Sequence, residues 1–300
     1  MEDKAARQEA WKTALRKEAG RFTGQIGIFL RGLGNNIEFS YRSDQCFAAA
    51  SLIKIPLFLA ASEIMGEQKW ESQIPIDPRN RAGGTGVIAH LNESFIPTWK
   101  ELLFLSIAWS DNTAANQILD CIGGFPAVQD WIRRNRLTHT QMQRKMMDRK
   151  AEAEGRENRT SAEDIGNILF QSAAHALEKA APSAQDRLLL EAMKQQHYRN
   201  KLPARIPSEA PDFEKDIPSP GHVLVWNKTG DLGCIQHDAG IFALPSGQRY
   251  ILVICTEHEK NGQTGARWIA EMSRCIWRLM TDENLIHSSS LPDETGHYTN

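Results

Sequence analysis

The pattern of apolar and polar positions divides the chain into a strand pair, a long helical middle and a strand-rich end. Residues 4–19 set Trp11 and Leu15 at helical spacing among charges, which predicts a surface helix. Thr23 to Leu30 carries an apolar Ile-Gly-Ile-Phe-Leu centre and reads as a strand. Gly32-Leu33-Gly34-Asn35-Asn36 is a turn by composition, and Ile37 to Tyr41 alternates as the returning strand of a hairpin. Residues 46–62 follow as an almost unbroken apolar run, interrupted by Ser51 and Lys54. Ser51 predicts a helix N-cap, with the helix running to about residue 66. Pro56 falls in the first turns of that helix, where its missing N–H costs little. The segment 70–97, with Gly83-Gly84-Thr85-Gly86 and several prolines, reads mostly as loop.

The middle is helical. Thr98 to Trp109 predicts a strongly apolar helix that stops at Ser110-Asp111-Asn112, with a second helix over Thr113 to Cys121. Gly123-Gly124 separates that from a helix at 125–135. Residues 140–160 are highly charged and hold a loop of about a dozen residues. Thr160 is expected to cap a helix over Ala162 to Leu177, and another helix spans 183–197. The proline-rich stretch 200–221 lacks periodicity and reads as an exposed excursion. His222 to Trp226 is a strand, with Lys228-Thr229-Gly230 directly behind it. Two further strands, Ile235 to Leu244 and Arg249 to Thr256, flank a turn at Pro245-Ser246-Gly247. A helix over 262–281 closes the pattern, and the polar residues 283–300 predict a disordered tail.

This order predicts an α/β (α+β) fold. One antiparallel sheet of about five strands is built from both ends of the chain, flanked by the terminal helices, with an all-helical lobe inserted. Residues 1–282 form one domain, with an α/β lobe at about 1–48 and 215–282 and a helical lobe at about 49–214. Composition narrows the partners. Of 300 residues 41% are hydrophobic and 24% charged, the balance of an ordinary globular protein. A net charge of −2 argues against a nucleic-acid partner. No apolar run reaches the roughly 18 to 20 residues of a membrane span. The start of the chain is polar, with no visible signal peptide, so a cytoplasmic location is expected unless a leader has been removed. The five cysteines are widely spaced, and no CxxC or histidine cluster suggests a metal site. Free buried thiols are the expected state, and neither a metal nor an organic cofactor is called for.

The chemistry concentrates at Ser51 and Lys54. Positions i and i+3 share a helix face, so the lysine amine reaches the serine hydroxyl. A lysine in so apolar a run is partly desolvated, which lowers its pKa and lets it act as a base. A serine at a helix N-terminus also meets partial positive charge that favours a developing oxyanion. Taken alone, a Ser-x-x-Lys string reads more often as a helix start with a solvated lysine.

Three motifs in order change that balance. Ser51-Leu-Ile-Lys54, Ser110-Asp111-Asn112 and Lys228-Thr229-Gly230 resemble the class A beta-lactamase and penicillin-binding protein superfamily over about residues 20–282. The resemblance implies a serine hydrolase acting through an acyl-enzyme on an amide or ester of a small molecule, with beta-lactam ring opening as the leading expectation. The alternative is a penicillin-binding-protein-like peptidase or esterase that deacylates beta-lactams slowly. It also implies roles: Ser51 as nucleophile, Lys54 as its base or proton relay, and Ser110 passing a proton to the leaving group. Asn112 would hold the substrate amide and Lys54. Lys228 and Thr229 would keep the site positive and bind a substrate carboxylate, and Gly230 would let substrate approach the strand. The oxyanion would meet the backbone N–H groups of Ser51 and Asp231.

The sequence departs from the family where the acyl-enzyme is hydrolysed. Class A members carry a loop glutamate, followed by Leu-Asn, that activates water. Aligned here on Asp148-Arg149, that glutamate falls on Ala151; aligned by its spacing to an asparagine, it falls on Glu154. Either way the loop is shorter. Glu152, Glu154 and Glu157 read as solvated charges, with one of them as the deacylation base the competing reading. The family's arginine beyond the third motif has no clear match, because Gln236, His237 and Asp238 occupy that stretch. The His237-Asp238 pair either assists in the site or packs the strand.

Overall fold

The structure is a computed structural model that describes residues 2–177, 183–209, 218–258 and 262–281. The expected tail at 283–300 lies outside the described residues. Helix α1 (Glu2–Ala19) leads into strands β1 (Gln25–Leu33) and β2 (Glu38–Tyr41). A two-residue strand β3 (Phe47–Ala48) and a 3-10 turn at Ala50–Ile53 precede α2 (Lys54–Met65). Helices α3 (Trp99–Ala108), α4 (Asn112–Cys121), α5 (Phe125–Arg134) and the short α6 (Arg149–Ala153) follow. Strand β4 (Arg159–Thr160) pairs with β3, and α7 (Ala162–Leu177) and α8 (Ala184–Lys194) complete the helical block. Strands β5 (Leu224–Leu232), β6 (Ile235–Ala243) and β7 (Arg249–Glu257), then α9 (Gly262–Thr281), end the described chain.

The five long strands form one antiparallel sheet in the order β2-β1-β7-β6-β5, so both ends of the chain build it. The fold class is the one the sequence predicts. Period-two side-chain alternation explains why the sheet is covered on both faces. On β7, Ile251, Val253 and Cys255 join the core shared with the helical block. Their neighbours Tyr250, Leu252 and Ile254 join a second core with Leu15 of α1 and Ile269, Met272 and Ile276 of α9. The spacing of those α9 residues is one helix face. On the helical side, α7 lies so close to β1 that a Cβ at Gly166 would fall 2.2 Å from the Phe29 ring, which only glycine permits.

Several local expectations are corrected. Ser51 is not a side-chain N-cap: it sits inside the 3-10 turn, with no side-chain cap bond at that turn or at α2. The hydroxyl is therefore left for Lys54. The cap of α7 comes from Ser161, whose Oγ accepts from Asp164 N at 3.1 Å, while Thr160 Oγ1 bonds Thr140 Oγ1. Lys228-Thr229-Gly230 lies within β5, not behind it, because the antiparallel register with β6 continues to Leu232. The stretch after α8 is not all exposed, since Lys201 and Leu202 are fully buried. Residues 210–217 lie outside the described residues. The cysteines are free, but only Cys255 is fully buried and Cys46 is exposed.

Candidate active site

The site lies where the N-terminus of α2, the α3–α4 junction and the edge strand β5 meet. Helix α2 is buried on all sides from Lys54 to Ser62, so it anchors the nucleophile turn from within the core. The turn is also fixed from its flanks. Asn158 O accepts from Ala49 N at 2.7 Å, and His237 Nε2 donates to Ala48 O at 2.9 Å. A Cβ at Gly230 would stand 3.3 Å from both Ala49 O and the Leu52 side chain. Gly230 thus lets β5 pack onto the nucleophile turn, a use the sequence reading assigned to substrate approach. Ala50, beside the nucleophile, has φ +46°, a left-handed conformation that costs an L-residue about 1 kcal/mol.

The α3–α4 junction is built by its own polar side chains. Thr98 and Glu101 form a capping box that starts α3, and Asp111 caps α4 by accepting from Ala114 N at 2.9 Å. The other Asp111 oxygen accepts from Val87 N and Ile88 N at 2.7 and 2.9 Å, docking the 83–88 loop against the junction. Ser110 is held at φ +51° between the two helices. Thr85 Oγ1 donates to Ser110 O at 2.7 Å, and Asn112 Nδ2 donates to Gly83 O at 2.8 Å.

The structure brings the expected site residues together. Lys54 Nζ lies 3.3 Å from Ser51 Oγ, 3.2 Å from Ser110 Oγ and 2.8 Å from Asn112 Oδ1, and it also donates to Ser110 O. Lys228 Nζ donates to Ser110 Oγ at 2.9 Å and to Thr229 O at 2.7 Å. Ser110 Oγ therefore joins two lysine amines that are both fully buried. Burial, and then the neighbouring Lys228 charge, push Lys54 well below the ordinary lysine range. Burial lowers Lys228 to about 7 against partial support from Asp231.

The cleft above this cluster measures about 290 Å³ and is lined by Ser51, Ser110, Asn112, Thr229 and Asp231. Of the three glutamates considered, only Glu157 lines it. Glu152 pairs with Arg149 and Glu154 with Arg156 on the outer surface. Glu157 is held in a two-pronged pair by Arg144, whose Nε donates to Oε1 at 3.0 Å and whose Nη2 donates to Oε2 at 3.2 Å. Asn158 commits its amide to the loop itself: Oδ1 accepts from Gln143 N and Arg144 N, and Nδ2 donates to Arg144 O.

His237 and Asp238 pack the strand. Burial lowers His237 to about 4, so the ring is neutral, with Nε2 on Ala48 O and Nδ1 accepting from Thr256 N. Asp238 accepts from Leu202 N and Asn227 Nδ2, and burial raises it to about 6. Sequence reasoning missed Arg144 and Lys201. Lys201 Nζ donates to Asp231 Oδ1 at 2.8 Å, His237 O at 3.2 Å and Gly230 O at 3.4 Å. Its position in an aperiodic stretch carries no signal of that reach.

Comparison with known proteins gives one coherent result. The model of the beta-lactamase enzyme family matches residues 10–280. A beta-lactamase of Bacillus licheniformis is 25% identical over 266 residues, which is 87% of this chain and 80% of that protein. Beta-lactamase VEB-1 of Pseudomonas aeruginosa is 23% identical over 279 residues and 84% of each chain. The solved structure of PBP-A is similar with a TM-score of 0.76 at 23% identity, covering 90% of this chain and 95% of that one. An ancestral class A beta-lactamase gives 0.73 at 20% identity, covering 89% and 99%. Among the described residues no helix is long and apolar enough to cross a membrane.

Proposed function

The chain belongs to the beta-lactamase enzyme family and is a serine hydrolase, and from that membership we propose that Ser51 forms an acyl-enzyme with an amide or ester substrate, beta-lactams included. The observation that carries this reading is the buried chain of contacts from Ser51 Oγ through Lys54 Nζ and Ser110 Oγ to Lys228 Nζ. Lys54, whose amine desolvation makes easier to deprotonate, takes the Ser51 proton as Oγ attacks the carbonyl carbon. The carbonyl oxygen gains negative charge and meets the backbone N–H groups of Ser51 and Asp231. The carbon–nitrogen or carbon–oxygen bond breaks, and the proton passes from Lys54 through Ser110 to the leaving amine or alcohol. Asn112 holds Lys54 in line, and Thr229 binds the far side of the substrate.

Hydrolysis of the acyl-enzyme needs a positioned water and a base. Glu157 is the carboxylate nearest to that role, but its oxygens are engaged by Arg144. This supports an enzyme that acylates readily and deacylates slowly, in the manner of a penicillin-binding protein. A point mutant of PBP-A has been solved as an acyl-enzyme complex with penicillin G. The test is to mix the protein with a penicillin and a chromogenic cephalosporin and follow intact mass and absorbance together. A stoichiometric mass gain with little turnover is expected, and Ser51→Ala abolishes it while the far-UV spectrum stays unchanged. Labelling retained in Ser51→Ala would overturn the assignment, and rapid turnover by the unaltered protein would overturn slow deacylation.

A further inference from the structure

The segment after α8 sets an aromatic side chain against the row of catalytic groups. Gln196 Nε2 donates to Ile107 O at 2.9 Å and His197 N to Ala108 O at 2.9 Å, so residues 196–198 are fastened to the end of α3. The His197 ring stacks on Trp109, with centroids 4.2 Å apart and planes 18° apart. Tyr198 meets His197 at 5.2 Å and 84°, an edge-to-face contact. Its backbone is held as well: Tyr198 N donates to Gln196 Oε1 at 3.1 Å, and Tyr198 O accepts from Asn227 Nδ2 at 3.2 Å. Trp109 directly precedes Ser110, and Asn227 directly precedes Lys228. Tyr198 is therefore pinned between the two elements that supply the far end of the proton path.

The side chain is held but not used up. Tyr198 is half-buried and lines the cleft with Ser110, Thr229 and Asp231. Among the described residues its ring has no aromatic partner besides His197, and its hydroxyl has no hydrogen-bond partner. Burial, and then the Asp231 and Asp111 charges, push its phenol up, so the ring is neutral. A tyrosine fixed in this way offers a large contact area at little further cost in side-chain entropy. Its place also says which half of a substrate it meets. Ser110 returns the proton to the departing atom, so the departing group lies on the Ser110 side of Ser51, where Tyr198 stands.

We propose that Tyr198 is a specificity residue for the leaving group, and that the preferred substrates are acyl donors whose departing alcohol or amine carries a flat ring that packs on it. Aromatic pairing adds to simple burial of area, so a flat ring gains more here than an aliphatic group does. This inference rests on the acyl-enzyme reading above and names the substrate's departing half.

The experiment uses the full chain and two esters of phenylacetylglycine, one with 3-hydroxybenzoic acid and one with lactic acid. Both leaving groups carry a carboxylate, and only the first is aromatic. Ser51 Oγ attacks the ester carbonyl, the carbon–oxygen bond breaks, and the hydroxy acid leaves with the proton from Ser110. Both esters leave the same acyl group on Ser51, so they differ only in acylation, read as the second-order rate of hydroxy-acid release and of mass gain. Intrinsic reactivity cancels when each variant is compared with the unaltered protein on the same ester. Tyr198→Leu is expected to slow the aryl ester about fivefold and the lactate ester by less than about twofold. Tyr198→Phe keeps the ring and leaves both rates within about twofold. Tyr198→Met, which retains bulk beside His197 without a ring, gives the same selective loss if the leucine variant misfolds. Equal slowing of both esters, or no slowing of the aryl ester, would overturn this inference while leaving the acyl-enzyme reading intact. A selective loss in Tyr198→Phe would assign the effect to the hydroxyl and overturn it too. No labelling of Ser51 by either ester in the unaltered protein would overturn both readings.

Discussion

The two walls of the cleft use polar groups in opposite ways. On the wall made by α2, the α3–α4 junction and β5, the polar side chains converge: Ser51, Lys54, Ser110, Asn112 and Lys228 bond to one another. On the wall made by residues 143–158 they turn back into their own loop. Asn158 closes on the backbone of Gln143 and Arg144, and Arg144 closes on Glu157. The first wall can accept and hand on a proton, because burial keeps its lysines low in pKa and hydroxyls lie between them. The second wall is already satisfied, and a satisfied carboxylate is a poor base. Burial alone does not make a site reactive; what matters is whether the buried groups point at the reacting atom or at their own scaffold.

Disabling the first wall has the largest effect. Lys54→Met keeps the length of the side chain and removes the base, and acylation of Ser51 is expected to slow by about 10³-fold. In the unaltered protein Lys54 is lowered, so the base is neutral well below the pH at which a free lysine deprotonates. Acylation should therefore extend to lower pH than a free lysine base would allow, and fall on acidification as Lys54 takes up a proton. A rate that rises only near pH 10 would break the contrast between the walls.

Loosening the second wall acts on stability. Asn158→Ala strands the Gln143 and Arg144 N–H groups and the Arg144 carbonyl, at a cost of about 3 kcal/mol read from the denaturant midpoint. A loss below about 1 kcal/mol would mean the loop does not depend on its internal bonds. The smallest effect sharpens the comparison most. Arg144→Met releases Glu157 into the cleft, and the acyl-enzyme should then decay about tenfold faster, followed by return of the unlabelled mass. An unchanged lifetime would show that the clamp is not what restrains hydrolysis.

How much of this was legible depended on range. The capped start of α3 and the stop at Ser110-Asp111-Asn112 are local signals, and both helices appear where the pattern puts them. That both ends of the chain build one antiparallel sheet followed from the apolar strands there, whereas the strand order within it did not. The proximity of Ser51 and Lys54 followed from helical spacing, although the turn there is 3-10 and Ser51 caps nothing. What was lost depends on distant partners. Asp111 caps α4, but it also fastens the loop at Val87 and Ile88. Lys201 sits in an aperiodic, proline-rich stretch, and its three acceptors come from β5 and β6. Glu157 looked like two other glutamates until its pairing with Arg144 was visible. The swap of Thr160 for Ser161 as the α7 cap is a one-residue error between two adjacent hydroxyls, which sequence cannot separate.

The sheet order carries a consequence for how the chain acquires its reactivity. Strand β1 pairs with β7 from Gln25↔Glu257 to Leu33↔Arg249, so an early strand waits for one of the last to be synthesised. The nucleophile turn is tied to the same late region through His237 and Gly230. Such long sequence separation slows folding, because loop-closure entropy is lost before strand pairing offsets it. A nascent chain that already contains Ser51, Lys54, Ser110 and Asn112 lacks the floor that orders them, and its serine is an ordinary alcohol. In refolding followed by pulses of an acylating probe, Ser51 should become reactive only in the final phase, together with burial of Trp226 in β5. Labelling in an earlier phase would show that the helical block arms the serine by itself.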